Sequence, residues 1–130
     1  MRQNKFTAFG RGRQKQAGQM NKNEAKYQMH LERLKQSGQV LWYEYEPMTL
    51  KLADGARYNP DFVVMMASGM IECHEVKGGT KKETKSGDKV SRPFVHDSAS
   101  LVKMKVAAEK FPFVFRIVWP DRDVWHSEEY

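Results

Sequence analysis

The chain has 130 residues, of which 40% are hydrophobic and 29% are charged, a composition typical of one globular domain. No stretch approaches the roughly 18 apolar residues that a membrane-spanning helix needs, and no apolar segment follows the basic N-terminus. We therefore expect no membrane span and no secretory signal. The single cysteine, Cys73, cannot form a disulfide within the chain and is compatible with a reducing compartment such as the cytoplasm.

The formal net charge of +6 favours polyanionic partners, because each phosphate that a cation neutralises releases condensed counterions. The positive charge is concentrated in two places. Residues 1–20 contain arginines and lysines and no acidic residue, and residues 78–97 are polar with an excess of lysine and arginine. We expect both segments to contact a nucleic-acid backbone, through Arg11 and Arg13 in the first and through Lys81, Lys82 and Lys85 in the second.

Apolar spacing and turn residues predict the secondary structure along the chain. Residues 1–20 lack an apolar period and are expected to form a flexible arm. The predicted elements then follow in order: a helix over 22–37 between Asn21 and Gly38, strands over 40–46 and 49–58 (the second a hairpin), strands over 62–66 and 70–76, a hydrophilic loop over 78–97, a helix from 97 or 98 to 110, and a strand over 113–119 that ends at Pro120.

This order of elements predicts a single α/β (α+β) domain over residues 21–120, with a mixed β-sheet flanked by helices. Residues 121–130 are polar and acidic on balance, and we expect them to form a C-terminal tail.

The segment from Asp61 to Lys77 contains the residues expected to carry chemistry. Folding the two strands about Ser68-Gly69 places Asp61 opposite Glu75, and opposed side chains of an antiparallel pair lie about 4.5–5.5 Å apart. Glu75 and Lys77 share a face because they are two residues apart on a strand. Two repelling carboxylates at this distance indicate a site for a hard divalent cation, Mg²⁺ or Mn²⁺.

An alternative interpretation is a surface hairpin in which Lys77 forms a salt bridge with Asp61 or Glu75, since charged residues on one strand face are usually solvated. The neighbouring apolar residues favour the functional interpretation. Asp61 directly precedes the apolar run 62–66, and the return strand is also largely apolar. Buried unpaired carboxylates are costly and tend to be functional.

The segments Pro60-Asp61 and Glu75-Val76-Lys77 resemble the two halves of the motif of the PD-(D/E)XK nuclease superfamily. Over about residues 20–119 the chain also resembles small phage Holliday-junction-resolving enzymes of the endonuclease I type. The resemblance implies a restriction-endonuclease-like fold and Mg²⁺-dependent hydrolysis of phosphodiester bonds in branched DNA by a homodimer in the bacterial cytoplasm. The implied metal ligands are Asp61, Glu75 and the backbone carbonyl of Val76, with Lys77 assisting the attacking water.

Glu24 has two interpretations that the residues alone leave open. It is the third helical residue after Asn21, which is the spacing of a capping box. The resemblance instead implies that Glu24 is a further metal ligand, and we adopt that role as the expectation. Two lysines on the second predicted helix have similar alternatives: Lys103 is expected to contact DNA, and Lys105 either points at the active-site phosphate or snorkels to solvent.

Two other functions compete with a junction-resolving nuclease. A restriction-type or nicking enzyme would use the same chemistry on linear duplex DNA. A non-catalytic nucleic-acid-binding module would use the fold as a scaffold, although a pure binder has no need of clustered acids that face phosphate.

Overall fold

The computed structural model of the chain describes residues 19–95 and 99–130. Arg11 and Arg13, which were predicted to bind DNA, and the predicted cap of the second helix at 97–98 lie outside the described residues. Within them the chain forms two helices and nine strands: α1 Lys22–Gln36, β1 Val40–Tyr45, β2 Leu50–Ala53, β3 Ala56–Tyr58, β4 Phe62–Met66, β5 Ile71–Val76, β6 Gly78–Glu83, β7 Lys89–Phe94, α2 Ala99–Lys110, β8 Val114–Asp121 and β9 Val124–Glu129.

Five of the strands form one mixed sheet in the order β1-β4-β5-β8-β9. β5 and β8 are parallel, as expected when a helix connects them, and the other neighbours are antiparallel. β2 with β3 and β6 with β7 form separate two-stranded hairpins. The predicted fold class, a single domain with a mixed sheet and helices, is confirmed.

The two faces of the sheet bury two different apolar clusters. On one face Tyr27 and Leu31 of α1 pack with Phe62, Val64 and Val118. On the other face Met104 and Ala107 of α2, together with the β2–β3 hairpin, pack with Val63, Cys73, Phe115 and Ile117. Alternation along β5 therefore assigns Glu75 to the α2 face and His74 to the α1 face.

α1 begins and ends where its sequence predicts. The Asn21 side chain accepts a hydrogen bond from the Glu24 N–H at 2.8 Å, and the Glu24 carboxylate accepts one from the Asn21 N–H at 2.9 Å. This reciprocal pair is a capping box, which satisfies two of the helix's otherwise unpaired donors. The helix ends at Ser37, and Gly38 adopts a φ of 85°, a conformation that favours glycine.

The predicted hydrophilic loop over 78–97 is wrong, because most of this segment is the β6–β7 hairpin. The hairpin packs against the end of β8 through the Trp119 indole, which donates to the Ser91 hydroxyl at 3.0 Å, and through a Lys81–Asp121 ion pair at 3.0 Å. A Cβ at Gly79 would lie 2.1 Å from the Pro120 carbonyl oxygen, so this close approach requires glycine.

The predicted polar tail over 121–130 is also wrong, since β9 extends the sheet as its edge strand. β8 continues through Pro120 and turns at residues 122–123 into β9. Proline is tolerated there because β5 pairs with β8 only as far as Val118, so at Pro120 the strand has a single neighbour in the sheet.

Neither helix in the described part of the chain is long and apolar enough to cross a membrane.

Candidate active site

The β4–β5 hairpin has the register that the sequence predicts. Phe62 pairs with His74 and Val63 with Cys73 across the turn. The same alignment, continued by one residue, places Asp61 beside Glu75 at the end of the sheet where β4 begins and β5 ends.

Asp61 contacts the end of β5 directly. One carboxylate oxygen, Oδ2, accepts a hydrogen bond from the backbone N–H of Val76 at 2.8 Å. Because Val76 is the residue between Glu75 and Lys77, this bond holds the Asp61 carboxylate close to both of them. The Asp61 carbonyl oxygen also accepts a hydrogen bond from the N–H of Glu46 at 2.8 Å, which ties the end of β1 to the start of β4.

Glu75 is a buried carboxylate with two partners. Its Oε1 accepts a hydrogen bond from the Tyr58 hydroxyl at 2.6 Å, and its Oε2 lies 3.4 Å from the Lys77 ammonium. The residue is only 5% exposed. A buried charge requires such partners, because an isolated one would lose its hydration without compensation.

Lys77 links the end of β5 to the start of α2. Its ammonium donates to the Ser100 hydroxyl at 2.8 Å while it pairs with Glu75. The side chain is 20% exposed, so the ammonium is largely shielded from solvent but still reachable. Two partners on different elements hold it in one orientation.

Asp61 and Glu75 line a cleft of about 400 Å³ between the end of the sheet and α2, and the Lys77 ammonium contacts two of its lining residues, Glu75 and Ser100. The cleft contains both carboxylates of the predicted site together with two cationic side chains, Arg57 and Lys103. Carboxylates, which are the usual ligands of hard cations, therefore lie beside cationic side chains. The main lining residues are Arg57, Tyr58, Asp61, Glu75, Ser100 and Lys103.

Tyr58 is a neutral donor in this site. Burial, and then the negative charge of Glu75, raise the pKa of its hydroxyl far above the usual value. A phenol that keeps its proton throughout the neutral range is available there as a hydrogen-bond donor to the carboxylate.

Glu24 lies on the other side of the sheet, and its observed contacts are structural. It closes the capping box of α1, and its Oε1 also accepts a hydrogen bond from the Tyr45 hydroxyl at 3.0 Å. The residue is only 3% exposed. Its role as a metal ligand stays a prediction.

The lysines predicted to bind DNA occupy different places. Lys103 lines the cleft, whereas the ammonium of Lys105 lies 5.6 Å from the centre of the Tyr130 ring, in a separate depression. Lys82 and Lys85 are exposed on the β6–β7 hairpin, and Lys81 on the same hairpin is paired with Asp121. Lys105 is therefore not directed into the cleft.

The opposite face of β5 has a buried polar chain. Tyr27 and His74 share a hydrogen bond of 2.6 Å, His74 and Glu72 one of 2.8 Å, and Arg116 donates to Glu72 at 3.0 Å. Arg116 and His74 hold the pKa of Glu72 below its usual value, with the hydrogen bond from His74 as the largest cause. His74 is partnered in the core and does not face the cleft.

The oxygen donors in the cleft suit a hard divalent cation. Among the described residues no group of three or more His, Cys, Asp or Glu side chains is arranged to hold a metal ion. Mg²⁺, however, is usually bound through one or two carboxylates, with waters and substrate phosphates completing its shell. Asp61 and Glu75 supply those two carboxylates, and the backbone carbonyl of Val76, the residue after Glu75, is a further oxygen at the same end of the strand.

Sequence reasoning missed three residues of the site. Tyr58 and Ser100 contact Glu75 and Lys77 from distant segments, and Glu46 lines the cleft from the end of β1. Glu46 has a φ of 45°, which is uncommon for a residue other than glycine and tends to occur at functional sites. The predicted start of α2 near 97–98 did place Ser100 in the first turn, which was the available signal.

Comparison of the chain with protein families, with curated proteins and with solved structures gave no match in any of the three.

Proposed function

We propose that the protein is a metal-dependent endodeoxyribonuclease that hydrolyses phosphodiester bonds in the cleft between the sheet and α2. The observation that carries the proposal is that Asp61 and Glu75 line one cleft, with the Lys77 ammonium 3.4 Å from the Glu75 carboxylate. Two carboxylates with an adjacent lysine are the set that the PD-(D/E)XK resemblance implies.

Asp61 and Glu75 would hold Mg²⁺ or Mn²⁺, with the Val76 carbonyl as a third oxygen. A bound divalent ion polarises a phosphoryl oxygen and lowers the pKa of a bound water. The carboxylates are positioned for this by groups of the chain itself: the Val76 N–H holds Asp61, and the Tyr58 hydroxyl holds Glu75. Preorganised partners of this kind reduce the reorganisation that binding would otherwise require.

Lys77 would orient the attacking water and offset the negative charge that develops on the phosphate. The Ser100 hydroxyl accepts one hydrogen bond from its ammonium, which leaves other ammonium protons for a water or a phosphate oxygen. Lys103 and Arg57, which line the same cleft, would contact the flanking phosphates. Such contacts are cation–anion attractions that weaken as salt is added.

The DNA outside the cleft would be held by the basic residues of the β6–β7 hairpin. Lys82 and Lys85 are exposed there, and the hairpin begins one residue after Lys77. Arg11 and Arg13 of the N-terminal arm would add further contacts. Branched DNA and a homodimer are proposed on the resemblance, because two symmetric cuts require two active sites, and the same resemblance underlies the proposed cytoplasmic, phage-encoded origin.

One cleavage assay tests the proposal. The protein is incubated with a four-way junction, a linear duplex of matched sequence and a single strand, each with Mg²⁺ and with a chelator. We expect cutting of the junction in Mg²⁺ alone, and loss of cutting with retained binding in Lys77→Ala. Lys51→Ala, an exposed lysine on β2 outside the cleft, is the matched control and should cut at the wild-type rate.

The other outcomes select other functions. Cutting of the linear duplex at the same rate would identify a restriction-type or nicking enzyme. Binding without cutting of any substrate would identify a non-catalytic nucleic-acid-binding module. Full activity of Lys77→Ala would show that the active site is elsewhere.

A further inference from the structure

A second cleft lies on the opposite face of the sheet, between α1 and the turn that joins β8 to β9. Its volume is about 530 Å³. None of its side chains belongs to the candidate active site. The residues of this cleft that carry chemistry are Lys26, Met29, Arg33, Arg122, Asp123 and Trp125.

The cleft is strongly cationic. Lys26 and Arg33 lie seven residues apart on α1, so they share one edge of the helix, with Met29 between them. Arg122 approaches from the β8–β9 turn, and Asp123 is the single acid among the lining residues. In the part of the chain that the structure describes, none of the three cations forms an ion pair.

An aromatic ring lies beside these cations. Trp125 lines the cleft and is fixed by an edge contact with Tyr27, whose ring centre is 4.8 Å away. Met29, next to it, is 58% exposed. A rigid ring with an exposed apolar neighbour in a positively charged groove is the arrangement that proteins use to stack the bases of single-stranded nucleic acids.

Arg122 occupies a backbone position that its side chain does not favour. Its φ of 58° lies in the left-handed region, and it is the first residue of a two-residue turn between Asp121 and Val124. Glycine is the usual residue with this conformation in such turns. Strained backbone positions of this kind cluster at ligand-binding sites, which favours a binding role for the Arg122 guanidinium.

The second cleft lies at the same end of the sheet as the active site. The Lys77 N–H donates to the Val118 carbonyl at 2.9 Å, and Pro120, two residues further along β8, lines the second cleft. The two clefts therefore lie at the same end of the sheet, on opposite faces.

We propose that the cleft between α1 and the β8–β9 turn binds a single-stranded stretch of nucleic acid. Lys26, Arg33 and Arg122 contact its phosphates, and a base packs on Trp125 and Met29. This site is separate from the proposed nuclease chemistry, and its binding does not require a metal. A substrate with a single-stranded segment next to the scissile bond would occupy both clefts.

The test measures binding of a short fluorescent oligo(dT) strand to the full chain in chelator, where no cleavage occurs. Arg33→Gln and Arg122→Gly should each weaken binding by about tenfold, the effect of one strong ionic contact. Each should also lower the slope of log affinity against log salt by about 0.7, the value for one phosphate of a single strand. Lys35→Gln, which removes a cation from the same helix outside the cleft, should leave both quantities unchanged.

Arg122→Gly separates binding from folding, because glycine suits the left-handed position and should leave the unfolding midpoint equal or higher. Binding by Arg33→Gln and Arg122→Gly equal to that by Lys35→Gln would overturn the proposal. Tighter binding of a linear duplex than of oligo(dT) through the same two arginines would overturn the single-strand assignment. Failure of cleavage in Mg²⁺, in contrast, would affect only the proposed nuclease function.

Discussion

Replacing Lys77 with methionine removes the ammonium of the active site and keeps most of the apolar stem. The ammonium lies 3.4 Å from Glu75, so at an effective dielectric constant of about 20 their gross attraction is about 5 kcal/mol. Removing one partner of a largely buried pair generally costs about 3–5 kcal/mol, since the other charge is left uncompensated. Because the Lys77 side chain is 20% exposed, we expect the lower value, about 3 kcal/mol.

The assay is urea unfolding of wild type and Lys77→Met, in chelator and in saturating Mg²⁺. In chelator the free energy of unfolding of the variant should be lower, because the buried Glu75 carboxylate loses its ion-pair partner. Mg²⁺ at about 100 times its dissociation constant stabilises a folded protein by about 2.7 kcal/mol. It should restore most of the loss in the variant and stabilise the wild type less, since there the ammonium repels the ion.

The matched control is Lys82→Met, which removes an exposed cation from the β6–β7 hairpin and should change stability by less than about 0.5 kcal/mol in either condition. Equal stability of Lys77→Met and wild type in chelator would refute the charge balance described for this cleft. So would a Mg²⁺ effect no larger in the variant than in the wild type.

Three further predictions follow from the same contacts. Tyr58→Phe should lower the free energy of unfolding by about 1.5–3 kcal/mol, the worth of a hydrogen bond to a charged group, and should slow Mg²⁺-dependent cleavage; unchanged cleavage would mean that Glu75 needs no orientation. Glu24→Ala should lower the free energy of unfolding by about 1–2 kcal/mol with or without Mg²⁺, because it removes the capping-box acceptor. Glu24→Gln should keep that hydrogen bond and the stability. Loss of metal binding in Glu24→Gln would instead establish Glu24 as a metal ligand. Burial raises the pKa of Tyr27 and Tyr58 above the ordinary 10.0, so their contribution to stability is fully present below pH 10 and is lost as the pH rises further. The measurement is a titration of the folded protein followed by phenolate absorbance. Ionisation of all five tyrosines near pH 10 would contradict this prediction.

The parts of the fold that local patterns determine could be predicted from the sequence. The tight turn at Ser68-Gly69 leaves one register that puts the apolar residues of both strands in the core, and that register fixes Asp61 beside Glu75. Likewise, Asn21 and Gly38 mark the ends of α1 because the cap and the left-handed residue each require a particular side chain.

The parts that depend on tertiary contacts could not be predicted. β6, β7 and β9 are polar strands without a strong alternation of apolar residues, so their sequences resemble those of a loop and a tail. The partners of the site residues come from distant segments: Tyr58 is 17 residues from Glu75, and Ser100 is 23 residues from Lys77. Spacing along the chain carries no information about such contacts.

Uptake of Mn²⁺, followed by the loss of the free-ion electron paramagnetic resonance signal, tests most directly whether Asp61 and Glu75 together hold a divalent cation. The wild-type protein should bind Mn²⁺, and Asp61→Asn and Glu75→Gln should each bind at least about tenfold more weakly, because one charged ligand is lost. Asp54→Asn, an exposed carboxylate on the β2–β3 turn, should bind like the wild type. No Mn²⁺ uptake by the wild type, or equal uptake by all four proteins, would contradict the assignment of this cleft as a metal-dependent active site.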